Sequence, residues 1–313
     1  MILYSEFESI ALNYSQLVDY LNEMLQVEDP SYLYLFVFAY FLGMRRGEIA
    51  GLQWQDINWE DKTIIIRHNR VQRTKQDKLD DDYDDVDERN VKLPKTGYVR
   101  KIELHKLAYD TICVYKKWQE KILNRPVNPE DFVLQFELNL VNGYDPNVSK
   151  ISVRWRECRD RINKLRKKAE KEPLIACRLH DGRETCGTLM LDGVLKPDGT
   201  KIEPVNRYQV YSHLGHSYRN VENNTTETVY HKKTDERWDV TRFWNELITI
   251  DIKNAWENYE EIRQFEWELL REEKKIKEQK KKENRFKKAK MERDAAKEEE
   301  NILVEYVVDD ESV

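Results

Sequence analysis

Cysteine is scarce in this chain. The 313 residues hold four (Cys113, Cys158, Cys177 and Cys186), none of them in a Cys-x-x-Cys pair. That spacing argues against a disulfide framework and against a thiolate zinc site, and fits reduced thiols. Long apolar runs are also missing: the most apolar stretch, Tyr32–Leu42 (YLYLFVFAYFL), is too short to cross a bilayer as a helix. The N-terminus, MILYSEFESI, has neither a basic segment nor the apolar core of a signal peptide. These absences lead to the expectation of a cytoplasmic protein.

An excess of positive charge is missing too, since the net charge is −6. The average hides two acidic segments. Asp77–Glu88 holds eight acids and one lysine, and Asn301–Val313 holds four acids and no base. Without them the remainder is positive, and Lys150–Glu172 has ten Lys or Arg against four Asp or Glu. A local basic face of this kind is the electrostatic footprint that a nucleic acid would meet.

What is present reads mostly as helix. Asn13 or Ser15 can cap a helix through Leu25, with Leu17, Val18, Leu21, Met24 and Leu25 on its apolar side and Asp29-Pro30 beyond its end. The buried helix Ser31–Leu42 follows, then a short one over Arg46–Leu52. Lys62–Gln72 is rich in β-branched residues and reads as a strand, and Val91–Leu104 as a hairpin turning at Pro94–Gly97. Asp77–Glu88 reads as a solvated loop. Helices are expected over Leu107–Leu123, Ser152–Lys171, Cys177–Leu191 and Val205–Leu214, with an excursion at Asp192–Pro204. From Asp251 a long helix is expected, apolar at first and then almost wholly charged. Pairs such as Glu273–Lys277 and Glu278–Lys282 have the spacing that supports an exposed helix.

One stretch carries chemistry on a rigid mount. Leu42–Trp54 (LGMRRGEIAGLQW) puts an arginine pair and a glutamate directly after the apolar run. Guanidinium is planar and always charged, the group suited to gripping a phosphate through two parallel hydrogen bonds. Taken alone, Arg45-Arg46 reads more readily as a solvated helix end, and Tyr230 more readily as one core tyrosine among seventeen.

Five segments in order change the balance: GMRRGE (Gly43–Glu48), PKTGYVRKIEL (Pro94–Leu104), LHDGR (Leu179–Arg183), LGH (Leu214–His216) and TTETVY (Thr225–Tyr230). Together they resemble the signature of the tyrosine recombinases, the phage-integrase family, across roughly Leu12–Lys233. The resemblance implies that Arg45 and Arg183 neutralise a phosphodiester, with Glu48 supporting Arg45. It makes Lys95 a proton donor to the leaving 5′ oxygen, and His180 and His216 the accompanying histidines. Tyr230 becomes the nucleophile, ahead of Tyr211 and Tyr218. Tyrosine can hold a phosphoryl group covalently, so no nucleotide is needed, and neither a metal nor a cofactor is implied. His213, His216 and His231 are at metal-ligand spacing but lack thiol or carboxylate partners.

The chain departs from the family pattern at Gly182, where leucine is usual, and at Glu184, where a basic residue or histidine is common. The Asp192–Pro204 and His216–Tyr230 segments are longer than usual. The expected fold is α+β and mainly α: an integrase-type catalytic domain with a small three-stranded antiparallel sheet, plus a long charged C-terminal helix. The expected organisation is a leader over residues 1–11, the catalytic domain over 12–250 and a charged tail over 251–313, with no N-terminal core-binding domain. The implied partners are double-stranded DNA, a homotetramer on that DNA, and a protein supplying the missing DNA-binding half. Two other functions share the features: a non-catalytic DNA-binding remnant, and an interaction protein built around the charged helix.

Overall fold

A computed structural model describes residues 10–27, 29–71, 91–94, 99–143, 147–215, 238–258 and six positions between 276 and 285. By its contacts the chain divides into two units, Met1–Tyr259 and Glu260–Val313. In the second unit the described positions, Ile276, Gln279, Lys280, Glu283, Asn284 and Arg285, are helical and exposed.

The first unit is built around one helix. Helix α2 (Ser31–Tyr40) is apolar on every side, and every residue of it except Tyr32 is buried. A helix with no polar face has no stable place except inside a core. Helix α1 (Tyr14–Gln26) packs on it through Leu17, Tyr20, Leu21, Met24 and Leu25. Asn13 caps α1: its side chain accepts from the Gln16 N–H at 3.0 Å, and the Gln16 side chain accepts from the Asn13 N–H in return. Helices α4 (Lys106–Leu123) and α7 (Asp181–Asp192) cover α2 from other sides. Trp155, from α6 (Val148–Lys168), stacks on Phe36 with centroids 6.0 Å apart and planes within 6°.

Among the described residues, three small antiparallel sheets flank this core. Strands β1 (Ile57–Asn58), β2 (Thr63–Ile66) and β5 (Arg100–Glu103) form one in the order β1-β2-β5, with Ile64 opposite Ile102 and Ile66 opposite Arg100. Strand β3 (Asn69–Arg70) pairs with β4 (Val91–Lys92) in the second. Strands β6 (Val194–Leu195) and β7 (Lys201–Ile202) form the third, inside the Asp192–Pro204 excursion. Among the described residues, the remaining helices of this unit are α3 (Arg46–Gly51), α5 (Glu137–Asn142) and α8 (Arg207–Leu214), with two more over Trp238–Leu247 and Ile252–Asn258.

The mainly helical α+β fold with a three-stranded sheet is the one expected, and four local readings change. The strand expected over Lys62–Gln72 is two strands in different sheets, separated where Arg67 and His68 turn toward the buried Asp56. The arms of the Val91–Leu104 segment pair with β3 and β2 rather than with each other. The helix expected from Cys177 begins at Asp181, whose carboxylate accepts from the Arg178 backbone N–H at 2.7 Å and from its guanidinium. Helices α5 and Trp238–Leu247 were not anticipated. The acidic segment Asp77–Glu88 lies outside the described residues.

Candidate active site

The end of α2 sets the position of everything in the site. After Phe41 and Leu42 the backbone turns at Gly43 with φ +60°, a conformation that side chains disfavour. A Cβ there would also lie 2.4 Å from Leu214 Cδ2. The turn releases Arg45 at the N-cap of α3, and Glu48, three residues on, reaches back to accept from the Arg45 backbone N–H at 2.9 Å.

Glu48 is buried and fully engaged. Its Oε1 accepts from Arg45 Nη1 and Arg100 Nη1, both at 2.9 Å. Its Oε2 accepts from the Arg45 N–H and from Arg100 Nη2 at 2.8 Å. Burial alone would raise the carboxyl pKa, but the hydrogen bonds and charge of Arg100, then those of Arg45, hold it down at about 2. Glu48 is therefore ionised at every physiological pH. The support expected between Glu48 and Arg45 is present, and it is shared with a second arginine.

Arg183 approaches from α7. Its Nη1 donates to the Gly43 carbonyl at 2.8 Å and its Nη2 to the Leu214 carbonyl. Burial and the neighbouring charge of Arg45 lower its pKa to about 10, with Glu48 opposing them, so it stays cationic at neutral pH. Among the described residues, two guanidinium groups thus bond one carboxylate and a third feels its charge, which leaves a surplus of positive charge at the site. Arg45, with its side chain 22% exposed, is the most open of the three, against 10% for Arg100.

His180 is exposed at the N-cap of α7, where its carbonyl accepts from the Arg183 N–H at 3.2 Å. Gly182, between them, explains one departure from the family pattern. A Cβ at that position would lie 2.8 Å from the backbone carbon and oxygen of Ala39, so the glycine lets α7 lie flush against α2. Lys95, His216 and Tyr230 lie outside the described residues. Among the described residues no group of three or more His, Cys, Asp or Glu could hold a metal ion. None of the described helices is long and apolar enough to cross a membrane.

Two residues near the site make bonds that the sequence does not show: Arg100, and His213, which the sequence offers only at metal-ligand spacing. Arg100 stood inside the quoted PKTGYVRKIEL segment, but nothing local reveals that its partner is 52 residues away. His213 places Nε2 3.1 Å from the Leu42 carbonyl. A carbonyl can only accept, so the ring is the Nε2–H tautomer. Burial and the charge of Arg100 lower its pKa to about 3, which keeps it neutral.

Residues 11–199 match the model of the phage integrase family, well over half of the chain. The matched stretch contains Arg45, Glu48, Lys95, His180 and Arg183; His216 and Tyr230 follow it. No curated protein matches. Among solved structures, the chain is similar to the integrase of transposon Tn1549 in complex with transposon right end DNA. The identity is 19% over 80% of this chain and 69% of that one, with a TM-score of 0.48. The same integrase with a circular intermediate DNA gives 21% identity over 78% and 67%, with a TM-score of 0.46. The XerA recombinase gives 16% over 74% and 63%, with a TM-score of 0.40. With the family model matched across most of its first unit, the chain belongs to the phage integrase family.

Proposed function

We propose that this chain is a site-specific DNA recombinase of the tyrosine type, acting in DNA integration or recombination, with its catalytic domain over residues 12–250. The observation that carries the reading is the cluster of Arg45, Arg100 and Arg183 at the carboxylate of Glu48, the first two bonded to it and the third within reach of its charge. Its excess positive charge suits a phosphodiester, whose anionic oxygens repel a nucleophile until they are neutralised.

In this reaction Tyr230 Oη attacks phosphorus and the bond from phosphorus to the 5′ oxygen breaks. The product is a 3′-phosphotyrosine with a free 5′ hydroxyl. Arg45 and Arg183 stabilise the charge on the non-bridging oxygens, and each contributes on the order of 10²–10³ in rate. The phenolic proton passes to a histidine, His180 or His216, and Lys95 supplies the proton that the leaving oxygen takes up. Attack by a 5′ hydroxyl on the phosphotyrosine reverses the chemistry, so the bond energy is conserved without a nucleotide.

Double-stranded DNA is the partner, and a tetramer joins two DNA sites. Support for the DNA-binding surface comes from α6, whose Lys150, Arg156, Lys164, Lys167 and Lys168 are exposed. Arg46, beside the site, donates to Ser152 Oγ on that helix at 2.9 Å, so the basic surface begins next to Arg45.

The test uses the full chain and a nicked duplex whose sequence the chain enriches from a randomised pool. Cleavage beside a nick loses the short 5′-hydroxyl fragment and traps the covalent adduct, which a denaturing gel resolves. An adduct formed by the wild type and lost in Tyr230→Phe is expected. Binding without any adduct would overturn the proposal in favour of a DNA-binding protein that does not cut.

A further inference from the structure

We infer that Arg100 is a positioning residue of this site: through the Glu48 carboxylate it fixes the guanidinium of Arg45, and through its Nε it ties the strand carrying it to the turn before His216. This inference rests on the proposed reaction, and it concerns a residue to which neither the family signature nor the sequence assigned a role.

Arg100 opens β5, five residues after Lys95. It spends three of its donors on two separate elements. Nη1 and Nη2 form a two-pronged pair with Glu48 at 2.9 and 2.8 Å, and Nε donates to the His213 carbonyl at 3.2 Å. Its guanidinium also lies against Gly215, the left-handed C-cap of α8. A Cβ on Gly215 would fall 2.9 Å from Arg100 Cδ and 3.0 Å from Nη1. One planar group therefore joins β5, α3 and the end of α8.

The consequence for Arg45 follows from the oxygens of Glu48. Each takes one hydrogen bond from Arg45 and one from Arg100. With Arg100 in place the carboxylate has a single orientation, and Arg45 is presented with it. Without the fork, the carboxylate can rotate, and Arg45, the more exposed partner, swings with it. Lysine retains the charge but cannot make the two-pronged pair and the third bond together.

The experiment compares the wild type with Arg100→Lys and Arg100→Gln in two measurements. The first needs no DNA: the ¹⁵Nε–H resonance of Arg45, assigned by its loss in Arg45→Lys, reports the order of that guanidinium. A single sharp signal is expected in the wild type and an exchange-broadened one in both variants. The second is single-turnover adduct formation on the nicked duplex described above. A fall of roughly 10–100-fold with DNA affinity changed less than about twofold is expected, because a mislaid positioning group affects the chemical step rather than binding.

An Arg45 resonance unchanged in Arg100→Lys would overturn the inference, as would a broadened resonance with cleavage at the wild-type rate. Loss of cooperative melting in both variants would also overturn it, by making Arg100 a support of the fold. If the wild type itself forms no adduct, the proposed reaction falls, and the Arg45 resonance alone then decides whether Arg100 orients it.

Discussion

Replacing Glu48 by glutamine removes one charge and turns one acceptor atom into a donor. The amide oxygen can keep two of the four hydrogen bonds that converge on Glu48, while the amide nitrogen faces donors that it cannot accept. Arg45, Arg100 and Arg183 lose their common counter-ion at the same time. Breaking a buried pair by removing one partner costs about 3–5 kcal/mol. A domain of this size melts roughly 2–4 °C lower for each kcal/mol, so Glu48→Gln should lower the melting temperature by on the order of 10 °C at neutral pH.

The pH dependence supplies a second check. The folded carboxyl sits at about 2 against an ordinary 4.5, so its stabilisation is present above pH 4.5 and fades as pH falls toward 2. Over that span the loss is roughly 3 kcal/mol. The gap in unfolding free energy between wild type and Glu48→Gln, measured by urea titration with circular dichroism, should therefore close by most of its value between pH 4.5 and 2. A variant melting within about 2 °C of wild type, or a gap that stays constant into acid, would refute the account of Glu48 as the counter-ion of this cluster.

Gly182→Ala should lower the unfolding free energy by about 1–3 kcal/mol, because its Cβ would meet the Ala39 backbone; a rise of about 1 kcal/mol, the ordinary gain for alanine in a helix, would contradict the close approach of α7 and α2. His105 and His213 are both held neutral with pKa values near 3, His105 by burial first and then by the competing His213 ring, His213 by burial first and then by the charge of Arg100, so the unfolded chain takes up two protons that the folded one does not. Stability should fall as pH drops from 6.5 toward 3, and His213→Gln should show a shallower fall between pH 6.5 and 5 in thermal melts. Replacing Lys150 and Arg156 together by glutamine should weaken binding to duplexes of different sequence about equally, and should reduce the slope of log affinity against log salt by roughly two. An unchanged slope would remove this end of α6 from the DNA surface.

Much of the scaffold was legible because its signals are local. The Asn13 cap, the apolar spacing of α1 and the wholly apolar Tyr32–Leu42 run each specify their element without help from elsewhere. The pairing of strands was not legible. Arg67 and His68 break one β-branched run because Asp56 lies buried next to them, and that is a tertiary fact. The start of α7 was misjudged for a related reason: Leu179 and Cys177 are apolar because they are buried, not because they are helical. At the site, the motif order pointed to Arg45, Glu48 and Arg183, and the structure brings those three together. Arg100 was invisible as a partner because a hydrogen bond spanning 52 residues leaves no periodicity. Gly182, a departure from the family pattern in the sequence, is a fitting of one helix to another.

The all-apolar character of α2 has a bearing on how the protein is made. Phe36 is stacked by Trp155, and Phe41 is met edge-on by Trp244 at 5.1 Å, so the cover for residues near position 40 is translated more than 100 and about 200 residues later. At an elongation rate of roughly 5–20 residues per second, α2 waits on the order of ten to forty seconds outside the ribosome before Trp244 follows it. During that interval its apolar surface is open to chaperones and to other nascent chains. Yield in a cell should therefore respond to translation speed between codons 40 and 244 and to chaperone supply, even where the finished protein is stable.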